Sequence, residues 1–95
     1  MYNYTGQIVR ATAGRDKGDL FCVVGMEQER LLLANGKRRR AARPKAKKLG
    51  HVQVLLFSEQ EYDHPTIQKL KQGEPVSDRE LRRALAAFKE GFKLG

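Results

Sequence analysis

The spacing of breaks in the first 57 residues limits what this chain can fold into more than any other feature. Runs rich in β-branched and apolar residues occupy 7–12 (QIVRAT), 19–26 (DLFCVVGM), 30–34 (RLLLA) and 51–57 (HVQVLLF), and glycine-bearing or polar segments separate them. Each run has strand length and composition. Gly14 and Gly18 bracket Arg-Asp-Lys and predict a tight loop with positive φ at both glycines. Gly25 predicts a bulge that bends the second strand. Residues 27–29 (EQE) form a polar turn, and the leucines at 31–33 predict burial on both faces of the third strand. Asn35 followed by Gly36 is a hairpin signal, so 37–42 is expected to return as a strand. In that strand Arg38 and Arg40 would share one face and Lys37 and Arg39 the other. Pro44 would end the pairing and leave 43–50 as an exposed loop. Five short strands with tight turns predict a small, mainly β barrel over 1–57.

The texture changes after Phe57. Residues 58–64 (SEQEYDH) are acidic and turn-like. Asp63 or His64 can cap a short helix with Pro65 in its first turn, ending near Gln72 at Gly73. Ser77 and Glu80 have the spacing of a capping box. Leu81, Ala84, Leu85, Phe88 and Phe92 then recur at helical spacing, opposite Arg79, Arg82, Lys89 and Glu90, and Gly91 is expected to fray the end. This stripe predicts that 58–95 is an extension of one or two short α-helices, packed on an open face of the barrel to make a single domain.

The charge is unevenly placed. Residues 1–50 hold 12 Lys and Arg against 4 Asp and Glu, whereas 51–95 hold 7 against 7. Eight of the basic residues fall in 36–49 (GKRRRAARPKAKKL), which has no acid: Lys37, Arg38, Arg39, Arg40, Arg43, Lys45, Lys47 and Lys48. A localised excess of this kind points to a polyanionic partner rather than to a merely solvated loop. The run has no interleaved Leu, Phe or Trp and contains Pro44, which excludes an amphipathic membrane helix. No stretch approaches the length of a membrane span, and the opening residues lack the apolar segment of a secretory signal. Nucleic acid is therefore the expected partner and a membrane is not. The lone Cys22 forms no internal disulfide, in keeping with a reducing cytoplasm, and is expected in the core. His51 and His64 are the only histidines, and nothing has the spacing of a metal site, so no catalytic residue, metal or cofactor is expected. Glu59, Glu61 and Asp63 fit a solvated face or, alternatively, a weak cation site.

The segment 6–24, GQIVRATAGRDKGDLFCVV, resembles a KOW motif: a glycine-started strand, a glycine-bounded basic loop and a second apolar strand. Segment 31–54, LLLANGKRRRAARPKAKKLGHVQV, is similar to the matching region of the KOW-type large-subunit ribosomal proteins of archaea and eukaryotes, the "L fourteen e" family, and their small bacterial relatives. The capped helix SDRELRRAL has a weaker counterpart there. The resemblance implies an SH3-like barrel that binds ribosomal RNA in the cytoplasm, with neighbouring ribosomal proteins as further contacts, and a monomer when free. By motif position it implies RNA contacts at Arg15, Lys17, Lys37, Arg38, Arg39 and Arg40. Arg43, Lys45, Lys47 and Lys48 extend this set, either within the exposed loop or as a disordered arm that orders only in RNA grooves. Asp16 departs from the pattern by placing an acid between two basic residues. The rival reading is a KOW-type protein-interaction module acting on the transcription or translation machinery, for which Tyr2, Tyr4 and Tyr62 would supply an aromatic groove.

Overall fold

The computed structural model describes residues 2–55 and 62–93, and only the backbone of Phe92 and Lys93. Its strands are β1 (Ile8–Ala11), β2 (Leu20–Glu27), β3 (Arg30–Ala34), β4 (Lys45–Lys48) and β5 (Val52–Leu55). Two helices follow, α1 (Pro65–Lys71) and α2 (Asp78–Lys93). The strands form one sheet in the order β4-β3-β2-β1-β5, and every neighbouring pair is antiparallel.

The edge strands of this sheet are consecutive in sequence, joined by the single 3₁₀ turn Leu49–His51. Four Cα steps from Lys48 to Val52 reach at most about 14 Å. The edges of a flat five-stranded sheet would lie about 19 Å apart. The sheet must therefore curl until β4 and β5 approach one another. The bulge helps: the register of β2 on β3 slips between Val23 and Gly25, as Gly25 predicts.

Curling gives the sheet two buried faces. Val9, Ala11, Phe21, Val23, Leu31 and Leu33 fill the inside of the curl without help from a helix. Ile8, Cys22, Ala34 and Leu55 point the other way and meet Ile67, Leu70, Leu81, Leu85 and Phe88 of the helices. The period of two along each strand accounts for the division. Leu81, Ala84, Leu85 and Phe88 are all buried, so the stripe expected on α2 is core. Each large side chain in it contributes roughly 1.5–3 kcal/mol of burial. Phe92, the last member of that stripe, falls outside the described side chains, as do the expected strand end at Phe57 and the acidic residues Glu59 and Glu61.

The helix starts follow local chemistry. The His64 ring nitrogen accepts from the Thr66 N–H at 3.1 Å, with Pro65 at the first helical position. Ser77 Oγ accepts from the Glu80 N–H at 3.1 Å, and Glu80 Oε1 accepts from the Ser77 N–H at 3.0 Å, which completes the capping box. Glu80 Oε2 also takes a 2.7 Å bond from Lys69 Nζ, tying α1 to α2. That bond is the main reason the Glu80 carboxyl lies below, and the Lys69 ammonium above, its ordinary pKa. The helix continues through Gly91 to Lys93, so the fraying expected at Gly91 is not seen.

The segment after β3 departs from expectation. Residues 37–42 are not a strand, and Asn35 with Gly36 is not a two-residue hairpin turn. The Asn35 side-chain oxygen instead accepts from the Lys37 N–H at 3.0 Å and the Arg39 N–H at 3.1 Å, while the Asn35 and Gly36 N–H groups both donate to the Arg39 carbonyl. An asparagine side chain that captures backbone donors competes with a ladder, and here it wins. The alternating faces expected for Lys37, Arg38, Arg39 and Arg40 are lost with the strand. The returning strand is β4, which begins just after Pro44 and pairs Lys45 with Leu33 and Lys48 with Arg30. Residues 45–48 are thus sheet, neither an exposed loop nor a disordered arm.

Helix α2 holds the 35–44 loop in place. Arg82 Nη1 donates to the Gly36 carbonyl at 2.6 Å, and the Ala41 N–H donates to Asp78 Oδ1 at 2.7 Å. Gly36 has φ +77°, and a Cβ there would overlap the Asp78 carbonyl oxygen. Gly18 also has positive φ, +92°, but open space around it.

Two outcomes are expected. Gly36→Ala combines left-handed strain with a backbone clash and should cost roughly 2–4 kcal/mol, whereas Gly18→Ala, with strain alone, should cost about 1 kcal/mol; urea unfolding of both variants measures the gap. Glu80→Gln keeps the capping acceptor but loses the charge. The lowered Glu80 pKa gives stability that is present above its unfolded value and lost as pH falls through the folded one, and the raised Lys69 pKa gives stability that is lost only in strong alkali. The variant should therefore melt slightly below wild type near pH 7 and together with it once the pH has fallen below the lowered Glu80 pKa.

Candidate nucleic-acid interface

Two loops make the basic end of the molecule, and neither is held by a ladder alone. Residues 12–19 connect β1 to β2 through successive turns, in which Lys17 N–H donates to the Gly14 carbonyl and Asp19 N–H to the Asp16 carbonyl. Both Gly14 and Gly18 have the positive φ their spacing predicts. The turn directs Asp16 inward, to 1% exposure, and leaves Arg15 and Lys17 in solvent on either side.

The inward carboxylate meets the second loop. Arg39 Nε and Nη2 both donate to Asp16 Oδ2, at 3.2 and 2.9 Å. The Arg39 side chain is 27% exposed, so this pair is substantially shielded from water. Asp16 is thus the anchor of Arg39, and the acid that breaks the basic pattern in sequence is neutralised within the protein. A third link comes from β4, where Lys47 Nζ donates to the Ala13 carbonyl at 2.7 Å. Together these bonds fix residues 12–19, 35–44 and 45–48 as neighbours.

Of the ten basic residues singled out in the sequence, eight stand free of short internal bonds on this surface. Arg15, Lys17, Lys37, Arg38, Arg40, Arg43, Lys45 and Lys48 are exposed. Arg40 is only 4.0 Å from Asp78 Oδ2 with 73% of its side chain exposed, a surface pair of little energetic weight. Arg39 and Lys47 are the two that are engaged: Arg39 is paired with the Asp16 carboxylate, whereas Lys47 is held by a neutral carbonyl and keeps its charge uncompensated among the described residues.

The structure adds basic residues that do not belong to the dense run. Arg30 and His51 line a groove with Gly14, Lys45, Lys47 and Lys48 on the β4 side. Arg10, Arg82 and Lys89 gather with Lys37 and Arg38 on the α2 side. Arg82 and Lys89 lie on the polar helix face that the stripe defines, but nothing local says that this face meets the 35–44 loop. Arg30 is brought beside Lys48 by a β3–β4 register that the sequence does not reveal.

The other candidates have structural places. Burial pushes the Cys22 thiol up to about 12, so it is a neutral core group at neutral pH. His64 caps α1, and His51 is exposed in the 3₁₀ turn. Tyr62 donates to the Ala84 carbonyl at 2.9 Å and lies edge-on to Phe88, packed against α2. Tyr2 is 63% exposed and edge-on to Tyr4. Among the described residues, no group of three His, Cys, Asp or Glu could hold a metal ion, and no helix is long and apolar enough to cross a membrane. No protein-family model matches the chain, and a search of curated proteins finds no match.

Removing either partner of the Asp16–Arg39 pair should have unequal effects. Arg39→Met strands a buried carboxylate and should cost roughly 2–4 kcal/mol, whereas Asp16→Asn leaves an arginine that can turn to solvent and should cost less. Chemical denaturation of both single variants and the double variant measures the difference and a coupling of about 1 kcal/mol or more.

Proposed function

We propose that this protein binds ribosomal RNA, with an SH3-like barrel of the KOW type as the scaffold for its basic face. The observation that carries this reading is the Asp16–Arg39 pair. It holds the loop of Arg15 and Lys17 against the loop of Lys37, Arg38 and Arg40. The two segments that resemble a ribosomal KOW protein in sequence are thereby adjacent in space. A curled sheet whose edge strands are joined by one 3₁₀ turn supports the barrel type.

The chemistry follows from charge and stiffness. Each phosphate neutralised by an exposed Lys or Arg releases condensed counterions, and that release supplies most of the affinity. Arginine adds a planar fork that can grip two phosphate oxygens or lie on an exposed base. Arg39 and Lys47 take the positioning role, because each is already tied to the 12–19 loop, Arg39 through Asp16 and Lys47 through the Ala13 carbonyl. With about five phosphates contacted, log K falls against log salt with a slope of about −3.5 to −4.5. Discrimination comes from RNA shape, read by cations at fixed separations.

Co-sedimentation with purified ribosomal subunits tests the reading. The wild-type chain should pellet with one subunit at a one-to-one ratio and stay bound at about 0.5 M salt. A variant with Arg15, Lys17, Lys45 and Lys48 changed to Gln should lose about tenfold or more in affinity while melting normally. Pelleting that ignores these four changes, or that disappears at modest salt with either subunit, would show that the chain is no specific ribosomal RNA binder.

A further inference from the structure

The α2 side of the basic end differs in kind from the β4 side. Between α2 and the start of the 35–44 loop lies a cleft of about 530 Å³, within the size range of small-ligand sites. Its floor is aliphatic, made by the less exposed Leu20 at the start of β2 and Leu85 of α2, with the exposed Ala86 of α2 at the mouth. Its rim is basic, made by Arg10, Lys37, Arg38 and Lys89. None of these four rim residues makes a salt bridge among the described residues. Arg82 also lines the cleft, and its bond to the Gly36 carbonyl fixes the position of its guanidinium while leaving its charge unpaired among the described residues. Asp19 is the one acid in the lining.

A floor and rim of this kind select a ligand with a flat apolar face and anionic groups beside it. A bare phosphate would use the rim and leave the floor wet. A duplex would meet the rim but hold its bases out of reach of the floor. An unstacked nucleotide satisfies both, with its base on the aliphatic floor, its flanking phosphates on the rim and a base N–H available to the Asp19 carboxylate. Arg38 lines the cleft and sits on the 35–44 loop with Arg40 and Arg43, so a strand crossing the basic face at that loop can reach the cleft.

We infer that this cleft captures a single splayed nucleotide, so that the protein binds RNA at a junction between a duplex and an unpaired segment. The inference rests on the proposed RNA-binding role and assigns α2 a part in it. Ala86 is exposed on α2, and glutamine is a good helix former, so Ala86→Gln should fill the cleft mouth without disturbing the fold or the charge. Lys89→Gln provides a second, independent change at the rim.

The test uses two RNAs of equal length, a hairpin with a single-stranded tail carrying 2-aminopurine and a fully paired duplex, with binding read by anisotropy and unstacking by 2-aminopurine emission. No aromatic residue lines the cleft, so a captured base should brighten rather than be quenched. Wild type should bind the tailed hairpin more tightly than the duplex and raise the emission. Ala86→Gln should abolish the rise and lose about tenfold in affinity for the tailed hairpin, with duplex binding unchanged. Lys89→Gln should weaken both RNAs slightly and lower the salt slope by about 1. Binding of both RNAs at wild-type strength by Ala86→Gln would overturn the cleft assignment and leave the RNA-binding face intact; the cleft would then belong to another occupant, such as an acidic protein segment. Failure of wild type to bind either RNA would instead defeat the RNA-binding reading itself.

Discussion

Asp16 sits in a surface loop and carries a charge, yet it is as buried as the core leucines. A carboxylate in that position is stable only because Arg39 places two donors on one of its oxygens. The arrangement of the basic end depends on this exchange. Without it, residues 12–19 and the all-basic 35–44 loop would have no direct side-chain link to each other and would be held only by the separate Lys47 and α2 attachments. With it, one positive charge is used to hold the others in fixed relation. Lys47 adds a second attachment on the Ala13 carbonyl, fixing the same loop while keeping its charge.

The pair works because the scaffold presents both loops at the same end. A sheet whose first and last edges are joined by three residues has to curl, and the curl carries β4 and its preceding loop round toward the β1–β2 connection. Helix α2 then fastens the 35–44 loop from behind. Its capping box sets where the helix begins, and that start puts Asp78 under the Ala41 N–H and Arg82 one turn further on, under the Gly36 carbonyl. Only glycine fits at 36, because the loop backbone presses directly on the helix backbone there. Local capping chemistry in the C-terminal third thus helps to determine the geometry of a loop more than 30 residues earlier.

The parts of this fold that the sequence declares are those determined within a few residues. Glycines at 14 and 18, the bulge at Gly25, His64 before Pro65 and the Ser77–Glu80 box each depend on backbone or side-chain preferences of their immediate neighbours. The stripe from Leu81 to Phe88 needs only helical periodicity. The 35–44 loop is different. Asparagine followed by glycine favours a hairpin turn, and the side-chain-capped loop found instead is held by Asp16, Asp78 and Arg82, all distant in sequence. Strand β4 is KAKK, which has no strand signature of its own; it pairs because β3 offers an open edge and Pro44 precludes an earlier start. Asp16 was visible as an oddity in a basic motif, but nothing nearby says that it turns inward. The same holds for the interface: the run of cations is plain in the sequence, whereas the division between positioning residues (Arg39, Lys47) and exposed ones is a property of the fold.

That division bears on how the proposed binding would gain its strength. Clustered cations repel one another and oppose folding, and long side chains on mobile loops lose much of their electrostatic gain to ordering when a ligand arrives. Here the ordering of the backbone is already accomplished by the Asp16, Ala13 and Asp78 attachments, so an anion meets charges on a settled surface. The remaining repulsion among Arg15, Lys17, Arg38, Arg43, Lys45 and Lys48 has no internal partner among the described residues and is relieved only from outside. A polyanion that spans several of them would gain more than one that neutralises each in turn on a flexible arm. The two sides of the basic end divide the work by their surroundings. The groove beside β4 offers charge to a phosphate backbone, while the cleft beside α2 adds an aliphatic floor and so can respond to what lies between the phosphates.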